Sequence, residues 1–580
     1  MGKRKKQIQK TARQQAPKEA GLSLPLPALF DIPASYVLLL GVVCIIIYWS
    51  TLGAGFLTWD DDLNITMNRT ILTRDFLEAW IRPHYGYYMP LTASAWILLS
   101  GNGPPLSPLP YHLSNLLLHF VNTLLVFSLL RLLLIRLEKK DEALTIPGAA
   151  LTGALLFCLH PLQVEPVCWA TGLRDLLSAT FVLASIISYM RAGSVRGYAV
   201  SAACFICGLL CKPSVVALPL GLLVLNRYFF NARLIDDVKR LGLFFLAAVP
   251  IMVITKIQEA DWKFTHYVPP LPLRPFVFLD ALGFYMAKFF WPFNLAANYS
   301  RTPEHVFSSS ALYVTLPVLI VFCLAVVLLS RKLSGGIAAG VLFGTAFLLP
   351  VSGIIPFAYQ SISTVADRYM YLPMVGLCCA VSCAVFRLRA RTLRSLIVLF
   401  LGGLLACAAI RAPVWQNDTT FYTAWVQDNP ANDRGYIGLG IVAVEEARLQ
   451  DAENYFRKAI SINSLNVVSL CKLGFVLLEQ NRPADALSLM LPALNSAEFR
   501  EQNRTKFSSM AMLYFAAGLA QVQTGDIKNG YLSYCQSLRL HPENAGARQK
   551  ISEAKAMLEA RGEEVEPCPQ DVAGGTEDIR

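Results

Sequence analysis

The sequence predicts an all-α protein: a polytopic membrane helix bundle followed by a C-terminal α-solenoid of helix-pair repeats. Three observations carry that expectation. The 580 residues are 54% hydrophobic and 16% charged, with a mean hydropathy of +0.45, too apolar for an ordinary water-soluble domain. The apolar residues are gathered into long runs separated by basic clusters. From Asn417 onward the composition turns polar and a 34-residue period begins.

The apolar runs are Tyr36 to Trp49, Leu116 to Leu134, Leu176 to Tyr189, Leu241 to Ile254, Ala311 to Leu329, Ala338 to Val351, Met374 to Phe386 and Leu396 to Ile410. A hydrocarbon layer of about 30 Å needs about 20 residues per helix, so several runs must extend into polar flanks. Lys3, Arg4, Lys5, Lys6, Lys10, Arg13 and Lys18 precede the first run and place the N-terminus in the cytoplasm. No small-residue cleavage site follows that run, which therefore reads as a retained anchor. Basic clusters at Arg131 to Lys140, Arg191 to Arg196, Arg227 to Arg240, Arg331 to Lys332 and Arg387 to Arg394 mark cytoplasmic loops. Residues 54–90, 159–175, 257–308 and 352–368 then fall on the outer side. Alternation gives about eleven crossings, with 275–291 interfacial or re-entrant, and puts everything after Ala412 outside.

The expected organisation is a basic cytoplasmic segment at 1–33, a transmembrane domain at 34–412 with an outer loop at 54–90, a repeat domain at 413–560, and a disordered acidic tail at 561–580. In the repeats, Gly440, Ala452, Phe456 and Ala459 recur as Gly474, Ala486, Met490 and Ala493, the spacing of tetratricopeptide (TPR) helix pairs. A looser third unit carries Gly518, Gly530 and Tyr534 and closes at Pro542. About three repeats is the minimum for a stacked solenoid.

The net charge of +11 follows the loops between apolar runs, which the positive-inside rule explains without nucleic acid. Fourteen cysteines, among them Cys44, Cys204, Cys207, Cys323, Cys378 and Cys379, show no metal-ligand spacing beside histidines and read as small core residues, so no metal ligands are assigned. Asn-x-Ser/Thr triplets begin at Asn64, Asn68 and Asn298 on the outer side.

Ionisable residues concentrate on that outer side. Asp60, Asp61 and Asp62 follow Trp59 just after the first run; clustered carboxylates repel and favour proton acceptance, although Asp also caps helices. His160-Pro161-Leu162-Gln163-Val164-Glu165-Pro166 closes a second run, with Trp169, Arg174 and Asp175 following. Such groups face a bundle interior or a polar cavity, while Arg174 and Asp175 can also simply neutralise one another. Lys212 and Lys288 interrupt apolar stretches, and either snorkels to the interface or holds a phosphate. His112 and His119 share a helical face and suit hydrogen bonding within the bundle. Asp367, Arg368 and Tyr369 open another helix, suited to a charged ligand or to a capping ion pair.

Together these segments resemble the transmembrane and TPR-containing glycosyltransferases of the GT-C superfamily, whose eukaryotic members are endoplasmic-reticulum protein O-mannosyltransferases with many bacterial relatives. The resemblance rests on Phe56-x-x-Trp59-Asp60-Asp61, Tyr88-Met89-Pro90-Leu91-Thr92, Tyr111-His112-Leu113-x-Asn115, His160-Pro161-x-x-Val164-Glu165-Pro166-Val167-x-Trp169, Arg174-Asp175-Leu176, Lys212-Pro213 and Ala366-Asp367-Arg368-Tyr369-x-Tyr371-Leu372-Pro373. Met89 stands where many relatives have Arg, and the repeat array is shorter than in the eukaryotic members.

The resemblance implies transfer of a sugar from a polyprenyl- or dolichyl-phosphate donor to a hydroxyl, a protein Ser or Thr, on the non-cytoplasmic face. Asp60 or Asp61 would be the catalytic base. Arg368, Lys212, Lys288 and Arg174 would hold the donor phosphate, and His160, Glu165, Asp175, Asp367 and Tyr369 would line the substrate cavity. No cofactor is required, with a divalent cation left open, and the repeats would dock the protein acceptor. A bacterial inner membrane with the repeats outside is the expected location, and an endoplasmic-reticulum membrane with lumenal repeats the alternative. An inactive scaffold and a lipid or solute transporter are the competing readings.

Overall fold

A computed structural model describes residues 32–83, 86–137, 145–191, 194–230, 233–261, 267–387, 391–504, 506–565 and 567–568. The basic segment before residue 32, part of the Arg131 to Lys140 cluster and most of the acidic tail lie outside them. The described residues are helical, with no strand, and form two compact units that meet in sequence between Gln416 and Asn417, with Asn298–Ser300 assigned to the second.

The first unit is the membrane bundle. Five of its helices are long and apolar enough to cross a bilayer: Ala34–Gly53, Leu109–Leu137, Ala170–Arg191, Ala311–Lys332 and Ser395–Trp415. Two bent pairs, Ile146–Leu159 with Pro161–Cys168 and Leu234–Arg240 with Gly242–Gln258, raise the number to seven. The expected count of about eleven is not reached by length and composition, because the remaining apolar helices have only 10–17 residues. Proline supplies the physical reason in several places. Pro90, Pro161, Pro213 and Pro350 each stand in the first turn of a helix, where a missing N–H is tolerated, and the chain cannot run helically through them.

Ala311–Lys332 turns Tyr313, Val321, Leu324 and Leu328 outward, a lipid-facing pattern that a helix in water would not sustain. Inside, Gly336–Leu348 and Pro373–Arg387 touch backbone to backbone. A Cβ on Gly340 would lie 2.4 Å from the Gly376 carbonyl oxygen, and one on Gly376 would lie 2.3 Å from that of Gly340. Small residues permit this approach, and dispersion between the close helices replaces the hydrophobic drive that lipid removes. The bundle is that of a multi-pass membrane protein.

The second unit repeats one device. Asp433–Glu445 pairs with Leu449–Ile462, Val467–Glu479 with Pro483–Asn495, and Phe507–Gln523 with Ile527–Leu540. In each pair a glycine admits a large side chain: Gly440 receives Phe456, Gly474 receives Met490 and Gly518 receives Tyr534. Each turn also passes through one left-handed residue, Ala447, Asn481 and Gly525 in order. An inserted short helix, Ala497–Gln502, precedes the third pair and explains its weaker periodicity. Beyond Ala545–Ala560, Val565 and Cys568 pack on the cluster around Tyr531 and Tyr534, and Cys568 is disulfide-bonded to Cys535. The expectation that cysteines are core thiols fails for these two. Their separation of 33 residues hides a pairing that only the helix stacking creates.

Gly376→Leu should abolish recovery of monodisperse protein from detergent extracts, since the side chain meets backbone that cannot yield. Gly402→Leu, with nothing within 4 Å of a new Cβ, should be recovered like the wild type; size-exclusion chromatography checks both.

Candidate active site

The outer loop after Ala34–Gly53 is fastened by Asp61. Its Oδ1 accepts hydrogen bonds from the Thr171 N–H at 2.9 Å and the Thr171 hydroxyl at 2.6 Å, and its Oδ2 accepts from the Leu57 N–H at 3.0 Å. Asp61 is fully buried, and burial pushes its carboxyl up to about 7, with the charge of Asp60 adding less. Repulsion among clustered carboxylates, the cause expected from the sequence, is thus secondary to desolvation. Burial also raises Asp62, while the Leu63 N–H pulls it down.

Asp60 differs in every respect. It is half-buried, its carboxylate accepts no hydrogen bond from the described residues, and its backbone sits at φ 64°, a left-handed conformation that costs a non-glycine residue about 1 kcal/mol. The loop holds that conformation because the Asp60 carbonyl accepts from the Asn64 side chain at 2.8 Å and the Asn64 N–H at 2.9 Å, while the neighbouring Trp59 carbonyl accepts from the Trp169 indole at 3.0 Å.

Behind this loop lies a buried charged cluster. Glu165, on the short helix Val164–Cys168, accepts from Arg368 twice, through Nη1 at 2.5 Å and the backbone N–H at 3.1 Å. The Arg368 guanidinium lies 4.3 Å from the Tyr359 ring centroid, 5.3 Å from that of Tyr369 and 5.5 Å from that of Trp169. Lys212 donates to Asp175 and lies 5.7 Å from the Tyr369 centroid; Arg174 is 3.8 Å from Asp175 and stacks on Trp169 at 5.2 Å. Arg368 thus pairs with Glu165, while Lys212 and Arg174 flank Asp175. A small cleft with a free volume of about 20 Å³ lies between Lys212, Asp175, Arg368 and Tyr369 on its polar side and Phe347, Val351, Leu372 and Pro373 on its apolar side.

Two expected members do not join. His160 spends both ring nitrogens, accepting from the Leu162 N–H at 3.2 Å and donating to the Phe289 carbonyl at 3.1 Å, and stacks on the Phe289 ring. Lys288 donates to the carbonyls of Phe293 and Asn294 at 2.5 and 3.0 Å, which caps the turn after its own helix. Asp367 is buried at the start of the turn that carries Arg368. His112 and His119 bond to the Gly55 carbonyl and the Tyr371 hydroxyl, as their shared face suggests.

Sequence spacing missed two features. Tyr359 carries no local motif, although an aromatic in the outer segment 352–368 was a usable signal. Cys44, His119 and Cys158, from three different helices, bring their ligand-capable atoms within 4.8 Å of one another, a convergence invisible to spacing along the chain.

No protein-family model matches the chain. It is 24% identical over 474 residues to a protein O-mannosyl-transferase of Caenorhabditis elegans, covering 77% of this chain and 64% of that protein. It is 22% identical over 531 residues to Protein O-mannosyl-transferase TMTC3 of Mus musculus, covering 80% and 55%. A shorter stretch of 183 residues, 29% of this chain and 20% of the relative, is 33% identical to a Xenopus laevis protein O-mannosyl-transferase. The chain thus spans between half and two thirds of the length of the first two relatives.

Because the folded Asp61 binds its proton more tightly than an unfolded Asp with its ordinary value near 3.9, its contribution to stability is fullest below about pH 4 and fades as pH rises toward 7. The stability of wild type relative to Asp61→Asn should fall over that window in thermal melts and level off above it.

Proposed function

We propose that this protein is a membrane glycosyltransferase that moves a sugar from a polyprenyl- or dolichyl-phosphate donor to a Ser or Thr hydroxyl of a protein acceptor on the non-cytoplasmic face. The observation that carries the reading is Asp60, a half-buried outer-loop carboxylate on a left-handed backbone that accepts no hydrogen bond from the described residues, in the same unit as Arg368 and Lys212, which line one small cleft.

The chemistry is a single displacement. Asp60 takes the proton of the acceptor hydroxyl as its oxygen attacks the anomeric carbon, and the bond from that carbon to the phosphate oxygen breaks with its electron pair passing to the phosphate. Arg368 and Lys212 face the oxygen on which charge develops, with Arg174 behind them. Asp61 anchors the loop and leaves proton transfer to its neighbour. Glu165 and Asp175 keep the cations in register, and Tyr369 forms the wall between them. The displacement balances without a cofactor, and a divalent cation stays open as a further partner of the donor phosphate; transfer measured with and without a chelator separates the two.

The helix pairs of the second unit are read as TPR units that dock the acceptor. The Cys535–Cys568 disulfide supports an oxidising compartment for them. The chain leaves the bundle at Gln416, whose carbonyl accepts from the Gly55 N–H at 2.9 Å, next to the Asp60 loop. The outer face is thus favoured for loop and repeats alike. Because the relatives named above are all animal proteins, an endoplasmic-reticulum membrane is favoured over the bacterial location that the sequence first suggested.

One observation favours the scaffold reading: Arg368 and Lys212 already have carboxylate partners. Transfer from dolichyl-phosphate sugars to a Ser/Thr-rich peptide decides between the two. Asp60→Asn should lose roughly a hundred-fold or more in rate with its fold intact. Asp60→Gly should be equally inactive yet at least as stable as wild type, because glycine accepts a positive φ freely. Wild-type rates in Asp60→Asn would remove the proposed base. Without reductant, Cys535 and Cys568 should resist alkylation and yield a disulfide-linked peptide by mass spectrometry; free thiols at both would remove the argument for an oxidising compartment.

A further inference from the structure

The helix Arg274–Phe290 carries none of the charged cluster, yet it holds the segment that presents Arg368. Asp280 is fully buried on this helix. Its oxygens accept from Arg301 Nε at 2.6 Å and Nη2 at 2.7 Å, and Oδ1 accepts also from the Thr315 hydroxyl at 2.7 Å. This two-pronged, charge-assisted pairing fixes Arg301 in angle as well as distance. The backbone carbonyl of Arg301 in turn accepts from both the N–H and the hydroxyl of Thr364, each at 2.8 Å. One turn along the same helix from Ala281, the Tyr285 hydroxyl accepts from the Ala366 N–H at 3.0 Å and donates to the Ala366 carbonyl at 3.2 Å.

Ala366 is in extended conformation immediately before the turn Asp367–Met370. In a buried setting its polar backbone groups need partners; the Tyr285 hydroxyl is the partner of the Ala366 N–H and shares the Ala366 carbonyl with the Tyr369 N–H, which donates at 3.1 Å. Residues 364 and 366 are thereby pinned from the helix Arg274–Phe290 and from Arg301, two residues before the Arg368 N–H meets Glu165.

We propose that Tyr285, Asp280 and Arg301 are positioning residues for Arg368, setting where its guanidinium faces the donor phosphate. The role of Arg368 toward the phosphate rests on the glycosyltransfer reading; the pinning of its loop does not. None of the three belongs to a motif singled out in the sequence, and Asp280 lies within a stretch expected to be interfacial or re-entrant. A buried ion pair far from any site would stabilise the bundle equally well. The distinguishing feature is its connection: through Arg301 the pair reaches the Thr364 backbone, and a misplacement of about 1 Å at a charge-stabilising group is enough to cost a large factor in rate.

The test separates the pinning from the function. In hydrogen–deuterium exchange on the full-length protein in detergent, Tyr285→Phe should speed exchange in the peptide covering 363–370 at least roughly ten-fold while the other helices exchange as in wild type. Asp280→Asn, which keeps the shape and removes the charge, should do the same. Unchanged protection of that peptide in both variants would overturn the proposal. Dolichyl phosphate binding then reads the consequence. Tyr285→Phe should weaken it by about five-fold, the loss expected for one hydrogen bond, and should have no further effect in an Arg368→Lys background because both changes remove the same interaction. Effects that multiply would show Tyr285 acting independently of Arg368 and would also overturn the proposal. Faster exchange together with a wild-type protein that neither binds dolichyl phosphate nor transfers sugar would leave the pinning in place and refute the glycosyltransfer reading.

Discussion

The buried pair of Arg368 and Glu165 is the interaction on which the site is built. Both groups are almost wholly removed from water, at 4% and 2% exposure, and dehydrating each charge costs several kcal/mol. That cost is offset only by good geometry: a short ion pair, a second bond from the Arg368 backbone to the same carboxylate, and the faces of three aromatic rings around the guanidinium. Glu165 is delivered by the bend after Leu159, where His160 caps the new turn and Pro161 starts it. Arg368 is delivered by a segment pinned at Thr364 and Ala366. The break in one helix and the pinned entry to another are thus one arrangement seen from its two ends.

That arrangement separates charged groups that build from charged groups that remain open to a ligand. Asp61 has every oxygen committed and resists ionisation because it is buried, so it behaves as a fastener. Asp60, one residue earlier, is left half-exposed on a backbone that the surrounding hydrogen bonds hold against its preference. Strain of that kind persists where the neighbouring structure over-determines it, and it clusters at sites of function. The cations divide in the same way: Lys288 caps a turn, while Lys212 and Arg368, each paired with a carboxylate, border a small cleft whose other wall is apolar.

Much of this was legible in the sequence, for reasons that can be named. A glycine facing a large side chain every 34 residues forces a helix pair, and Gly440 with Phe456 and Gly474 with Met490 reappear as contacts. Charged residues beside apolar runs need partners, and Asp61, Glu165, Arg174, Lys212 and Arg368 each have them within the fold. Partner choice was not legible. Whether a histidine is a ligand or a cap depends on where its second nitrogen points, and His160 points at the Phe289 carbonyl. The number of spans was not legible either, because prolines at 161 and 213 divide apolar stretches that hydropathy alone runs together. Asp280, Tyr285 and Arg301 belong to no shared pattern along the chain and meet only through the fold, as do Cys535 and Cys568.

The proposed single displacement puts Asp60 and Arg368 on opposite sides of one anomeric carbon. The most direct measurement is the anomeric configuration of the sugar on the product peptide, read by NMR against that of the donor. Inversion is the predicted result, since base and departing phosphate must lie on opposite faces. Retention would require a covalent sugar–enzyme intermediate and two displacements, and would contradict the assignment of Asp60 as a base.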